Sequence, residues 1–172
     1  MNEIKELMII PIEVKDAADF LNYAKKVGRE SNNLTFGEEG PNKTIAQEMA
    51  FLKNQKCSKR SIMLLGKIEG ELVAVGSLSD YANARIKHRG ELGLSVLRKY
   101  WNRGIGTKVM ERLIAFAKEE ARFEIIQLEV NSDNAGAIHL YKKFGFEIIG
   151  RYKKFFKIDD VYFDAYLMNL YL

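Results

Sequence analysis

The sequence predicts an α/β fold: a mixed β-sheet with helices packed on its faces. Two patterns predict it. Segments with apolar residues at the 3.6-residue helical period alternate with short strand-like runs, and at least one succession reads as a strand-helix-strand unit. Other runs are joined by tight turns at Glu69-Gly70 and Asp159-Asp160, which makes antiparallel hairpins part of the same sheet.

Leu7 to Ile12 reads as the first strand. Asp16 is placed to cap a helix whose apolar stripe is Ala17, Phe20, Leu21, Ala24 and Val27. Arg29 to Asn42 is the one long irregular stretch, containing three Gly or Pro residues together with Glu30, Glu38 and Glu39. Loops of that length in compact domains are usually functional or mobile. Thr44 and Gln47 spell a capping box for a second helix bearing Ile45, Met49 and Leu52. Ile62 to Ile68 and Glu71 to Leu78 form a hairpin. Arg85 to Leu97 is expected as a long strand with Ile86, Leu92, Leu94 and Val96 on one face and Arg85, Lys87, Arg89, Glu91 and Ser95 on the other. Gly90 and Gly93 are its candidate bulge sites. From Gly106, the residues Val109, Met110, Leu113, Ile114 and Ala117 mark an amphipathic helix of about four turns. A strand at Ile125 to Val130, a helix at Asn134 to Phe144, and a closing hairpin of Phe146 to Ile158 with Val161 to Leu170 complete the order β-α-α-β-β-β-α-β-α-β-β. No internal repeat interrupts it.

With 172 residues, 47% of them apolar and 29% charged, the chain has the size and composition of one ordinary domain covering residues 1–172. Such a chain buries roughly 70% of the surface it exposes unfolded, so its core needs no metal or disulfide staple. The single cysteine, Cys57, excludes an internal disulfide and any multi-cysteine metal site, in keeping with a reducing cytoplasm. His88 and His139 are not spaced as zinc ligands, and no H-E-x-x-H or C-x-x-C occurs, so no metal is expected. Leu7 to Ile12 is too short to span a bilayer and Met1-Asn2-Glu3 is unlike a signal peptide, which predicts a cytoplasmic protein with no membrane partner. Against 23 acidic residues the 27 basic ones leave +4, a mild preference for anionic partners. That excess is too small and too dispersed to argue nucleic-acid binding.

The segment Arg98-Lys99-Tyr100-Trp101-Asn102-Arg103-Gly104-Ile105-Gly106-Thr107 joins a strand to a helix and puts two glycines at the helix entrance. Successive N–H groups there lack intrahelical acceptors and, with the helix dipole, suit a phosphate or pyrophosphate. Arg98, Lys99 and Arg103 add positive charge. A plain glycine-rich turn would read the same way. Other phosphate motifs fail. Gly66-Lys67 is preceded by Ser61 where a Walker loop needs Gly, and a dinucleotide fingerprint would need Gly at Val109.

Val96-x4-Trp101-x2-Gly104-x-Gly106 resembles the acetyl-coenzyme A loop of the GNAT N-acetyltransferases, V-x4-[RQ]-x2-G-x-[GA], ahead of an amphipathic helix. A second block, Leu128-Glu129-Val130-x3-Asn134-x2-Ala137-x2-Leu140-Tyr141-x3-Gly145-Phe146, is similar to that family's L-x-V-x3-N-x2-A-x2-L-Y-x3-G-F. The closest motif match is to the bacterial ribosomal-protein-alanine and small-amine branches. The resemblance implies the acyl-CoA N-acyltransferase fold, with a mixed, mostly antiparallel central sheet of about seven strands and helices on both faces. It also implies acetyl-CoA as cosubstrate and a primary amine, small molecule or protein N-terminus, as acceptor. Trp101 stands where the family most often has Arg or Gln. This variation removes one side-chain phosphate contact and leaves the backbone of Gly104, Ile105, Gly106 and Thr107 to carry more of the binding, with Arg98 or Arg103 as substitutes. Relatives commonly form homodimers, but no surface in this sequence singles one out.

Acetyl transfer to an amine requires removal of the amine's proton, stabilisation of an oxyanion and a proton for the departing thiolate. By resemblance Tyr141 is the general acid; on spacing alone it reads rather as a core tyrosine on the Ile138/Tyr141/Gly145 stripe. Asn134 reads as an N-cap, and by resemblance also contacts the pantetheine arm. Leu94, Ser95 and Val96 are expected to offer it backbone groups, with the Val96 N–H as oxyanion donor. For the base, the family points to Glu129 or Glu91, either of which also reads as a solvated strand carboxylate, and water chains serve in many relatives. Cys57 has no identifiable partner for nucleophilic work. The crowding of Glu30, Glu38 and Glu39 in the long loop suggests a cationic acceptor, or simply a solvated loop. A non-catalytic acyl-CoA-binding module of the same fold remains the alternative function.

Overall fold

The computed structural model describes residues 6–172. Strands β1 (Leu7–Pro11), β2 (Ile62–Ile68), β3 (Glu71–Asp80), β4 (Arg89–Val96), β5 (Ile125–Asn131), β6 (Glu147–Ile158) and β7 (Val161–Tyr171) form one sheet in the order β1-β2-β3-β4-β5-β7-β6. Every neighbouring pair is antiparallel except β4-β5. Helices α1 (Ala17–Glu30), α2 (Ile45–Gln55), α3 (Ile105–Glu119) and α4 (Ala135–Lys143) complete the succession that the sequence pattern predicts.

Alternation along the strands builds a core on each face. Leu64 and Ala74 pack with Val109, Met110 and Leu113 of α3, while Leu65 and Val75 pack with Ala17, Tyr23 and Val27 of α1 and Leu52 of α2. The expected capping box forms: the Gln47 N–H donates to Thr44 Oγ1 at 3.2 Å and the Thr44 N–H to Gln47 Oε1 at 2.9 Å. Both hairpin turns place two residues at positive φ, Glu69 (50°) with Gly70 (81°) and Asp159 (47°) with Asp160 (63°), as type I′ geometry requires.

Three expectations change. Asp16 does not cap α1 through its side chain; it accepts the Glu13 N–H at 2.9 Å and faces Lys67 Nζ at 3.4 Å. The strand expected from Arg85 begins at Arg89, because the preceding residues close turns on themselves: the Ile86 N–H donates to Asn83 O and the Arg89 N–H to Ile86 O, both at 3.0 Å. Gly90 and Gly93 are not bulges, since the β3-β4 register is unbroken. They are small because neighbours occupy the space. A Cβ on Gly90 would lie 2.6 Å from the Phe123 ring, and one on Gly93 2.9 Å from Ser77 Oγ.

The feature that shapes the molecule is the parallel contact at its centre. β4 and β5 pair only at Arg89/Ile125, Gly90/Ile126 and Glu91/Gln127, then diverge.

Candidate active site

Which groups the divergence leaves open follows from hydrogen-bond alternation. The carbonyl of His88 accepts the Glu124 N–H at 2.8 Å, and the Leu97 N–H donates to Val73 O at 2.9 Å. Even-numbered residues of this strand therefore direct N–H and C=O toward β5, and odd-numbered ones toward β3. Past Glu91 the β5 side is open, so the backbone groups of Leu92, Leu94 and Val96 line a wedge-shaped cleft. Ser95 differs from its expected place. Its backbone faces β3, and its hydroxyl lies 3.0 Å from Tyr23 Oη on the α1 side.

The cleft runs into the start of α3. Asn102 and Gly104 take left-handed φ values of 59° and 74°, and no side chain caps the helix. Its first backbone bond runs from the Lys108 N–H to Gly104 O, so the N–H groups of Gly104, Ile105, Gly106 and Thr107 have no intrahelical acceptor. A Cβ on Gly104 would meet nothing within 4 Å, while one on Gly106 would stand 3.2 Å from Leu140 and 3.7 Å from Leu94. Open space thus lies in front of the helix end and close packing of β4, α3 and α4 behind it. Arg103 stacks over the Tyr100 ring at 5.4 Å and has no ion-pair partner among the described residues. Arg98 is committed elsewhere: its N–H donates to Glu30 Oε2 at 2.8 Å and its guanidinium to the Glu30 carbonyl at the end of α1.

On the α4 side, Asn134 caps its helix by accepting the Ala137 N–H at 3.2 Å. Tyr141 is buried against Phe146, rings 5.8 Å apart, and burial pushes its phenol up to about 12. It stays protonated at any physiological pH. On the sheet face toward α1, Glu91 belongs to the last β4-β5 pair and Glu129 stands two residues beyond its partner Gln127. Glu91 Oε2 accepts from the Tyr81 hydroxyl at 3.3 Å. Partial shielding of the Glu129 carboxyl, and then the charge of Glu91, raise it above the usual carboxylate range although the residue as a whole is exposed. Two clefts open beyond the end of β5. One of about 390 Å³ is lined by Arg29, Ser31, Asn32 and Arg98. The other, about 500 Å³, lies between the long loop and the β6-β7 hairpin.

The family model for the acetyltransferase (GNAT) family matches residues 29–146. The chain belongs to the GNAT acetyltransferase family. An L-amino acid N-acetyltransferase, AaaT, of Escherichia coli K12 is 35% identical over 105 residues, 61% of this chain and 65% of that protein. The chain spans less than two thirds of the length of the curated relatives it matches. The crystal structure of a GNAT acetyltransferase from Streptococcus pneumoniae superposes with a TM-score of 0.93 at 30% identity, covering 97% of this chain and all of that one. A second structure, yncA of Salmonella typhimurium with its cofactor acetyl-CoA, gives 0.84 at 17% identity over 97% and 94% of the two chains.

Placed on the GNAT sheet, the block from Val96 to Gly106 runs from the end of β4 into α3, and the block from Leu128 to Phe146 runs from β5 through α4. Gly106 stands close to Leu140, Leu94 and Val96, Leu94 and Val96 pack against the core cluster that holds Tyr141, Asn134 caps α4, and Glu91 and Glu129 lie on the α1 side of the sheet. Of the three loop glutamates, Glu30 is bound to Arg98 and Glu38 lies 3.5 Å from Arg29, leaving Glu39 as the one that lines the larger cleft. Sequence reasoning missed the aromatic walls of that cleft, Phe36, Phe155 and Phe156. Their signal was the Tyr152 to Phe156 cluster, which strand alternation alone divides between two faces. Among the described residues no helix is long and apolar enough to cross a membrane, and no group of three His, Cys, Asp or Glu side chains could hold a metal ion.

Proposed function

We propose that the protein transfers an acetyl group from acetyl-CoA to a primary amine by direct attack of the amine on the thioester. The observation that carries the reading is the divergence of β4 from β5 beside an uncapped helix end. An open strand edge suits the amide-bearing pantetheine arm, and four free N–H groups suit the pyrophosphate. Leu94 and Val96 bind the arm, the backbone from Gly104 to Thr107 binds the phosphates with Arg103 beside them, and Asn134 orders the α4 end. The acetyl-CoA bound in the Salmonella structure of like fold supports this use of the site.

Glu129, with Glu91 next to it, takes the proton of the incoming ammonium. The new C–N bond forms at the thioester carbonyl while the Val96 N–H donates to the developing oxyanion. The C–S bond then breaks, and Tyr141 supplies the proton that the departing thiolate takes up. Incubating the protein with acetyl-CoA and a panel of primary amines while following free thiol tests the proposal. Amine-dependent thiol release is expected. Coenzyme binding without turnover of any amine would overturn it in favour of a binding module.

A further inference from the structure

The larger cleft carries information about the acceptor. We infer that the acceptor is a primary amine with a large apolar or aromatic group close to its nitrogen and no free carboxylate. This rests on the acetyl-transfer reading and names the substrate class for the same site.

Position comes first. The cleft includes Asn32, whose carbonyl accepts from Asn131 Nδ2 at 3.4 Å at the end of β5. It therefore lies beside Asn131, two residues along β5 from Glu129. Its lining mixes an apolar wall with polar groups. Leu34 and Phe36 come from the long loop, and Phe155 and Phe156 from β6, their two rings packed edge to face at 4.7 Å. A volume of about 500 Å³ bounded this way accommodates a ring or a branched chain.

Charge decides the rest. Glu39 and Asp159 stand in the lining, and the Gly37 N–H donated to Glu39 at 2.8 Å keeps that carboxyl ionised. The cation in the lining is Lys157, and its Nζ is held 2.8 Å from Asp160. Nearby cations are also engaged, Arg29 with Glu38 and Arg151 with Asp164 at 2.7 Å. An ammonium is thus drawn toward the cleft, whereas a carboxylate on the same molecule would meet Glu39 and Asp159 with no free cation in the lining to receive it. A polyamine carries no apolar group to cover Leu34, Phe36, Phe155 and Phe156, so that surface stays wet even where a second ammonium meets Glu39 or Asp159. Free arylalkylamines and the first residue of a peptide with an apolar N-terminus share the required chemistry.

The test compares kcat/KM at saturating acetyl-CoA for phenethylamine, L-phenylalaninamide and a phenylalanyl tripeptide amide against L-phenylalanine and spermidine. The carboxylate-free aromatic amines are expected to lead by about tenfold or more. A preference for the tripeptide amide over phenethylamine assigns the chemistry to peptide N-termini, and the reverse to free amines. Asp159→Asn keeps a residue that tolerates the left-handed turn, so the hairpin persists. It should bring L-phenylalanine to within about threefold of its amide. Phe155→Ala should raise KM for every aromatic acceptor about tenfold without changing the Kd of coenzyme A. L-phenylalanine matching its amide, or spermidine leading, overturns the acceptor class and leaves acetyl transfer standing. If no amine turns over, acetyl transfer fails. Calorimetric binding to the protein-coenzyme A complex then decides the acceptor class: phenylalaninamide binding tighter than phenylalanine supports it, and equal or weaker binding overturns it.

Discussion

The indole Nε1 of Trp101 donates to the carbonyl oxygen of Val96 at 2.7 Å, so a side chain from the glycine loop occupies one of the edge groups that β5 leaves unpaired. Trp101 is the only tryptophan in the chain and is 43% exposed. A ligand whose amides pair along this edge competes with the indole for the same oxygen. Titration with acetyl-CoA should therefore change the intrinsic emission saturably, with the same Kd that calorimetry gives. Trp101→Phe should abolish the signal and leave the affinity within about threefold, because the freed carbonyl remains an acceptor. Calorimetric binding with no emission change would mean the indole keeps its bond.

Gly104→Asp places a carboxylate in the open space before α3. Its own folding cost is small, about 1 kcal/mol for the left-handed φ, partly offset by acid at a helix N-terminus. The Kd for acetyl-CoA should rise by about a hundredfold or more through repulsion of phosphate, while the melting temperature moves by only a few degrees. Unchanged affinity would remove the loop from the binding site.

For Tyr141→Phe the packing against Phe146 is retained and only the phenolic proton is lost. We expect kcat to fall about 10²-fold with an unchanged melting curve. Full activity would return the residue to a purely structural role in the core.

The carboxylate pair predicts the acid limb of the pH profile. Glu129 acts as base only when ionised, and its pKa lies above the ordinary value for Glu, about 4.3. Activity should decline as pH falls through that raised value, about tenfold per unit below it. Glu91→Gln removes a like charge and should move the limb to lower pH; Glu129→Gln should remove most of the rate. A limb that stays in place in both variants would assign the proton to water.

Gly28 of α1 and Gly37 of the long loop touch so closely that a Cβ on Gly28 would lie 2.0 Å from the Gly37 carbonyl oxygen. Backbone stands on the far side, so the loop must lift. Gly28→Ala should cost about 2 kcal/mol or more and raise the amine KM, since both glycines line the cleft proposed for the acceptor, while coenzyme affinity holds. Chemical denaturation together with the two KM values checks it.

What the sequence made legible was local. The capping box of Thr44 with Gln47, the Asn134 cap, both type I′ turns and the helical stripes depend on neighbours a few residues apart, and these elements appear where the pattern places them. Arg85 to His88 misled because alternation continues there by composition, while the turns closed by Asn83 and Ile86 override it. The termination of β4-β5 pairing after Glu91 joins segments 36 residues apart and leaves no periodic trace. The Tyr23-Ser95 contact and the commitment of Arg98 to Glu30 are likewise non-local, which is why Arg98 looked available for phosphate. Tyr141 and Gly104 stand out through motif spacing; Phe155 and Phe156 belong to no motif.

The three residue pairs that join β4 to β5 leave two sheet edges facing each other across the cleft, each with unspent donors and acceptors. A chain bound along β4 serves as a substitute strand and closes one of them. Amide exchange at Leu94 and Val96 should then slow severalfold with ligand while that of β2 and β3 stays the same. Ligand at a hundred times its Kd adds about 2.7 kcal/mol to the folded state. An unliganded pool, by contrast, presents the open edges that template strand addition between molecules. The metabolic supply of the ligand would in this way set the protein's shelf life as well as its turnover.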